Sequence, residues 1–165
     1  MPRKLMYALL AVAALAAIVI GTILYFHAQQ PIPSNIKKQV DFLVFLPQGD
    51  ESFRTDRKSF KYDANLKVMS VVISSFGIKN TISEQASPDA FNDIPGYYDK
   101  LTEKLNSYAN FGTDLGTVYL TRPDELKGKQ SAIMSTKGTL MFASPGKDLT
   151  NDQWRRFFNS LSVIK

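Results

Sequence analysis

Apolar and polar positions divide the chain into an opening block with no polar relief and a longer stretch of mixed pattern. The run LMYALLAVAALAAIVIGTILYF begins at Leu5 and ends at Phe26 without a single charge. About 22 residues rise about 33 Å as a helix, enough to cross a hydrocarbon core of about 30 Å. The run therefore predicts one transmembrane helix over 5–26. It exceeds the roughly 7–15 apolar residues of a cleavable signal, and Phe26-His27-Ala28 offers a poor small-residue cleavage site, so an uncleaved anchor is expected.

Beyond it the pattern turns to short alternations. VDFLVFL, starting at Val40, is apolar in both phases after Asp41 and predicts a strand covered on both faces. The polar stretch 48–57 predicts a turn. Residues 59–62 and 66–74 predict a hairpin about Asp63-Ala64-Asn65, and 79–85 a further strand. Ser87-Pro88-Asp89 reads as a helix start with a serine cap, proline first and an early acid. Pro95-Gly96 interrupts that helix. Tyr98, Leu101, Leu105 and Tyr108 then fall on one helical face, which Gly112 ends. Strands follow at 115–121, 131–136 and 139–144, the last two joined by a Lys137-Gly138 hairpin loop. The chain closes on a helix whose Thr150 and Gln153 form a capping box. Leu149 and Trp154 staple across it, and Trp154, Phe157, Phe158 and Leu161 make its apolar face.

No helix among the first four strands is long enough for a parallel crossover, so the expected class is α+β: an antiparallel sheet of about seven strands packed by two helices, behind one transmembrane helix. The expected organisation is a short cytoplasmic end at 1–4, the anchor at 5–26, a proline-stiffened linker at 27–38 and a domain at 39–165. A strand ending in Leu46-Pro47, the Ser83-Glu84-Gln85 stretch with Pro88 before the middle helix, and the Ala143-Ser144-Pro145-Gly146 turn before the last helix accompany this order. In these it resembles small single-pass, membrane-anchored bacterial domains of unknown function and, more distantly, the PsbP-like antiparallel α+β fold. The resemblance spans roughly 40–163; it implies the fold and brings no catalytic motif.

Charge then bears on orientation and partners. Of the 20 Lys and Arg residues only Arg3 and Lys4 precede the apolar run, while all 15 Asp and Glu come after it. Positive residues favour the cytoplasmic side, so the amino terminus is expected inside and the domain outside the cell membrane. The charges of the domain are interspersed, without the dense basic stripe of a nucleic-acid binder, and no nucleic-acid partner is expected. With no cysteine there is no disulfide, thiol nucleophile or thiolate metal site. The single histidine, His27, stands at the membrane boundary, so the domain lacks the centre of a Ser-His-Asp triad or a histidine metal site.

No catalytic, metal or cofactor residue is assigned, and no cofactor is expected. Asp89, Asp93, Asp99 and the Asp124-Glu125 pair match no calcium loop. Glu84 shares the strand phase of Ile78, Asn80 and Ile82, but it stands where that strand is expected to end and is read as exposed. Two sets suit binding: the cations Arg54, Arg57, Lys58 and Lys61, which suit anionic lipid heads or an acidic envelope polymer, and the aromatic pair Tyr97-Tyr98. Ala13, Ala17 and Gly21 recur at four-residue spacing and suit close helix–helix contact in the bilayer. The expected function is a non-catalytic extracytoplasmic binding or assembly module whose partners are the bilayer and a membrane protein or envelope polymer. A structural subunit of a membrane complex and a carboxylate- or Ser/Lys-dependent hydrolase stay open as alternatives, and the oligomeric state is open as well.

Overall fold

The computed structural model describes residues 31–122 and 128–164. The predicted anchor with Ala13, Ala17 and Gly21, and the Asp124-Glu125 pair, lie outside the described residues. Among those described, no helix is long and apolar enough to cross a membrane.

Ile32 and Ile36 are buried in the domain core, so residues 32–38 of the segment expected to be linker already belong to the fold. A one-turn helix α1 (Ser34–Lys37) carries Ile36 inward and leaves Lys37 in solvent. The principal sheet holds seven strands in the order β2-β3-β4-β8-β7-β6-β5, every neighbouring pair antiparallel. They are β2 (Phe53–Asp63), β3 (Val68–Ser75), β4 (Ile78–Ala86), β5 (Ser107–Thr113), β6 (Gly116–Thr121), β7 (Ser131–Thr136) and β8 (Thr139–Pro145). Alternation decides the faces. In β3, Met69, Val71 and Ile73 are buried while Ser70, Val72 and Ser74 look the other way. Two tight turns hold the hairpins: Phe76-Gly77 and Lys137-Gly138 both adopt positive φ at two successive residues, the backbone that matches strand twist.

One face of this sheet packs against α4 (Asn151–Asn159), whose Trp154, Phe157 and Phe158 are fully buried. The capping box is present in both directions: Thr150 Oγ1 accepts from Gln153 N–H, and Gln153 Oε1 accepts from Thr150 N–H. On the other face lies α3 (Tyr97–Lys104), whose Tyr98 ring meets Tyr119 of β6 edge-on at 5.6 Å. A single turn, α2 (Ala90–Asp93), precedes it.

Four expectations are corrected. The strand expected from Val40 is only β1 (Phe45–Pro47), and it pairs with β9 (Leu161–Val163), outside the main sheet. Its two-sided burial arises because residues 40–46 pass beneath the main sheet, where Val44, Phe45 and Leu46 are sealed. Residues 53–57, expected as turn, form the first half of β2; as an edge strand it exposes its charges and needs only Phe53 and Phe60 to anchor it. The middle helix, expected to run to Gly112, ends at Lys104. Asn106 turns the chain at φ 54, and Tyr108 belongs to β5. Finally, Ser87 caps no helix: its hydroxyl meets Ser135 Oγ at 2.9 Å, and α2 begins only at Ala90.

Candidate functional site

Among the residues expected to bind, the cations are strung along β2. Arg54 pairs laterally with Ser74 and Lys61 with Ser70, so both project from the face opposite the core. Between them the register shifts. In this bulge the Asp56 carboxylate accepts from Lys58 N–H at 3.0 Å, and Val72 N–H donates to Ser59 Oγ at 2.7 Å. Six residues of extended chain separate Arg54 from Lys61, a span of about 20 Å, with Asp56 between. The four cations are thus placed along an edge and not gathered into one patch. Tyr97 and Tyr98 divide their work. Tyr98 is wedged between Phe91 and Tyr119, and burial pushes its phenol above the usual range. Tyr97 stays 41% exposed against Phe91.

Lys61 borders a shallow hollow of about 610 Å³ with Tyr62 and Leu66, and a second concavity lies elsewhere. A cleft of about 510 Å³ opens where α3 hands over to β5, lined by Glu103, Asn106, Ser107, Tyr108 and Arg122. Two of its side chains, Arg122 and Tyr108, are held in place from behind. Arg122 Nη2 donates to Asp148 Oδ2 at 2.6 Å and Nη1 donates to the Gly128 carbonyl at 2.9 Å. The same guanidinium lies 5.7 Å from the centre of the Tyr108 ring. The hydrogen bond from Arg122 holds the Asp148 carboxyl below the usual carboxylate range.

Behind Tyr108 stands the buried Gln130. Its Nε2 donates to the Tyr108 hydroxyl at 2.6 Å, and its Oε1 accepts from Trp154 Nε1 at 2.8 Å and Leu149 N–H at 2.9 Å. One amide thereby ties the cleft wall to the start of α4. A bulge in β5 makes this possible, because the register slips between Ser107 and Ala109 and re-aims Tyr108. Sequence reading missed Arg122, Tyr108 and Gln130 as a group. Asp148 and Trp154 lie more than twenty residues from their partners, and no local spacing announces them.

Glu84 contradicts its expected exposure. β4 continues to Ala86, so Glu84 keeps the inward phase between Met69 and Met141, its lateral partners, and is 0% exposed. Phe45 N–H donates to its two oxygens at 3.1 and 3.3 Å. Burial pushes its carboxyl up to about 8, opposed by the hydrogen bond from Phe45. On β8 alongside, Thr139 Oγ1 donates to the Leu43 carbonyl at 2.8 Å. Two central strands thus grip the backbone of residues 43–45 with side chains. β1 has one edge on β9, and without Glu84 the Phe45 N–H on its other edge would be buried and unsatisfied.

Chemically the cleft offers a guanidinium, a carboxylate, an amide, a hydroxyl and an aromatic ring, a set that recognises polar ligands. Glu84, whose carboxyl is favoured in the neutral form by burial, is sealed away from it. Among the described residues, no three His, Asp or Glu side chains converge where they would hold a metal ion. No family model, no curated protein and no solved structure matches the chain.

Proposed function

We propose that the chain is a membrane-anchored, non-catalytic binding module, presented outside the cell, whose cleft beside Arg122 takes a hydroxyl-rich segment of an envelope polymer. The observation that carries this reading is the pre-set wall of the cleft: Arg122 is held by Asp148 and Gly128, and Tyr108 by Gln130, before any ligand arrives. Side chains fixed in advance lose little freedom on binding. Arg122 gives Asp148 and Gly128 one N–H from each terminal nitrogen, and a guanidinium carries further donors beyond these. Planar groups such as Arg122, Asn106 and Glu103 suit neighbouring hydroxyls, and the Tyr108 ring, 51% exposed, suits the apolar face of a sugar.

Anchoring rests on the apolar run 5–26 and on the short connection between that run and the domain. Five residues separate Phe26 from Ile32, where the core begins, a reach of about 20 Å at most. A surface module so tethered meets polymers and proteins close to the bilayer.

The test is co-sedimentation of the full chain, in detergent micelles, with purified insoluble wall polysaccharide. The native chain is expected in the pellet, Lys58→Ala likewise, and Arg122→Gln in the supernatant with at least a tenfold weaker apparent affinity. Failure of the native chain to sediment, or equal sedimentation of Arg122→Gln, removes the reading.

A further inference from the structure

The seven-stranded sheet is open and has two edges, β2 and β5, built very differently. Strand β2 carries Arg54, Asp56, Arg57, Lys58, Lys61 and Asp63 and is broken by a bulge, which are the usual devices against unwanted strand pairing. Strand β5, Ser-Tyr-Ala-Asn-Phe-Gly-Thr, has no charged residue and no proline along its whole length, and its own bulge is confined to its start, between Ser107 and Ala109, leaving Ala109 to Thr113 in regular register. Its Tyr108, Asn110 and Gly112 are exposed, and among the described residues its outer side is paired with no strand. Alternate N–H and C=O groups of an edge strand point away from its only neighbour, so β5 presents a row of backbone donors and acceptors outward.

We propose that β5 pairs antiparallel with β5 of a second copy of this chain, joining two sheets across a two-fold axis. Three features select a second copy over an unrelated peptide. An added peptide strand would itself present a new free edge, whereas two copies consume both unprotected edges at once and leave β2, with its charges and bulge, at either end. Self-pairing sets like residues near like, which a charged strand resists; residues 107–113 carry no charge to repel. The two-fold axis stands perpendicular to the sheet, so the faces packed by α4 fall on one side in both copies. Phe111, already edge-on to Phe158 at 6.3 Å and beneath the Arg155 guanidinium at 5.3 Å, then continues one apolar layer into the next copy. The inference does not depend on what fills the Arg122 cleft. A negative result here leaves the sedimentation test untouched, and the reverse holds too.

The chain has no cysteine, so a single introduced thiol reports only on its own surroundings. The experiment places Asn110→Cys, and in parallel Lys58→Cys on the other edge, in the full chain reconstituted in liposomes, and treats both with a short bismaleimide. Facing residues of an antiparallel pair stand about 5 Å apart between Cα atoms, within easy reach of a thiol cross-link. Asn110→Cys is expected to give a covalent dimer as its main product, at least tenfold more than Lys58→Cys. Asn110→Lys, which sets two ammonium groups near the axis, is expected to convert the otherwise native chain from two copies to one per detergent micelle by light scattering. Equal cross-linking of the two cysteine variants overturns the proposal, as does an unchanged copy number in Asn110→Lys.

Discussion

Glu84 is the residue whose role depends most on its surroundings. An ionised carboxylate in an apolar layer is costly, and Glu84 is retained there as a neutral acceptor for the Phe45 N–H. Its folded carboxyl sits near 8 against an ordinary value of 4.5. The proton is therefore bound more tightly in the folded state than in the unfolded one. The stabilisation from that proton is complete below pH 4.5 and drains away as pH rises towards 8, on the order of 5 kcal/mol in all. Thermal melting of the full chain in detergent at a series of pH values should show the midpoint falling across that window. Glu84→Gln keeps an acceptor for Phe45 and cannot ionise, so its midpoint should stay flat there; a parallel fall in both proteins would assign the pH dependence to other groups. The phase of Glu84 is legible in the alternation of β4. What hides its burial is the apparent end of the strand, since nothing in residues 78–86 reveals that residues 43–45 lie across them with an N–H to satisfy.

Elements show the same division. Helix α4 is legible because its signals are local: Thr150 and Gln153 cap each other within four residues, and Trp154, Phe157 and Phe158 repeat at the helical period. Thr150→Ala should lower stability by about 1 kcal/mol, read as a shift of the denaturant midpoint at constant slope, because Gln153 loses its acceptor at an otherwise exposed position. The Lys137-Gly138 hairpin is legible for the same reason, two residues with positive φ between complementary strands. Strand β5 is not. Tyr98, Leu101, Leu105 and Tyr108 keep helical spacing, but the two tyrosines go to different neighbours. Tyr98 packs on Tyr119 below α3, and Tyr108 is taken by Gln130 and Arg122 after the chain turns at Asn106. Period alone does not say where a face finds its partner. Strand β1 misleads differently: continuous burial suggests a place inside the sheet, when a strand lying under a sheet is covered just as fully.

The chain as a whole is ordered by pairings far apart in sequence. The sheet closes through β4 against β8, bringing Ile82 beside Ala143, and β1 meets β9, so that the domain's first and last strands lock together with Leu46 opposite Ser162. With β9 clamped to β1, the carboxy-terminal end is tied to the entry of the domain. Orientation across a membrane can be tested on the same scale. A tag placed after Lys165 should be removed by protease added to intact cells, while a cytoplasmic marker survives; a tag that survives until the membrane is opened would put the domain inside. The cleft, too, is a product of assembly at this scale, since Arg122 comes at the end of β6, Asp148 precedes α4 and Tyr108 lies on β5.

By itself the sequence determined the features that arise from near neighbours: an apolar run of membrane-spanning length, the antiparallel α+β class, the capped closing helix and the tight hairpin. Hydrogen bonds and periodic faces within about ten residues leave their trace in composition and spacing, because the groups involved are adjacent along the chain. The tertiary structure alone decided that Glu84 is sealed in the core, that 43–45 pass under the sheet, that Gln130 ties Tyr108 to Trp154, and that β5 ends the sheet with an uncharged edge. Each of these is a contact between segments distant in sequence, set by which surfaces meet when the sheet closes and by the need to satisfy every buried donor once they do.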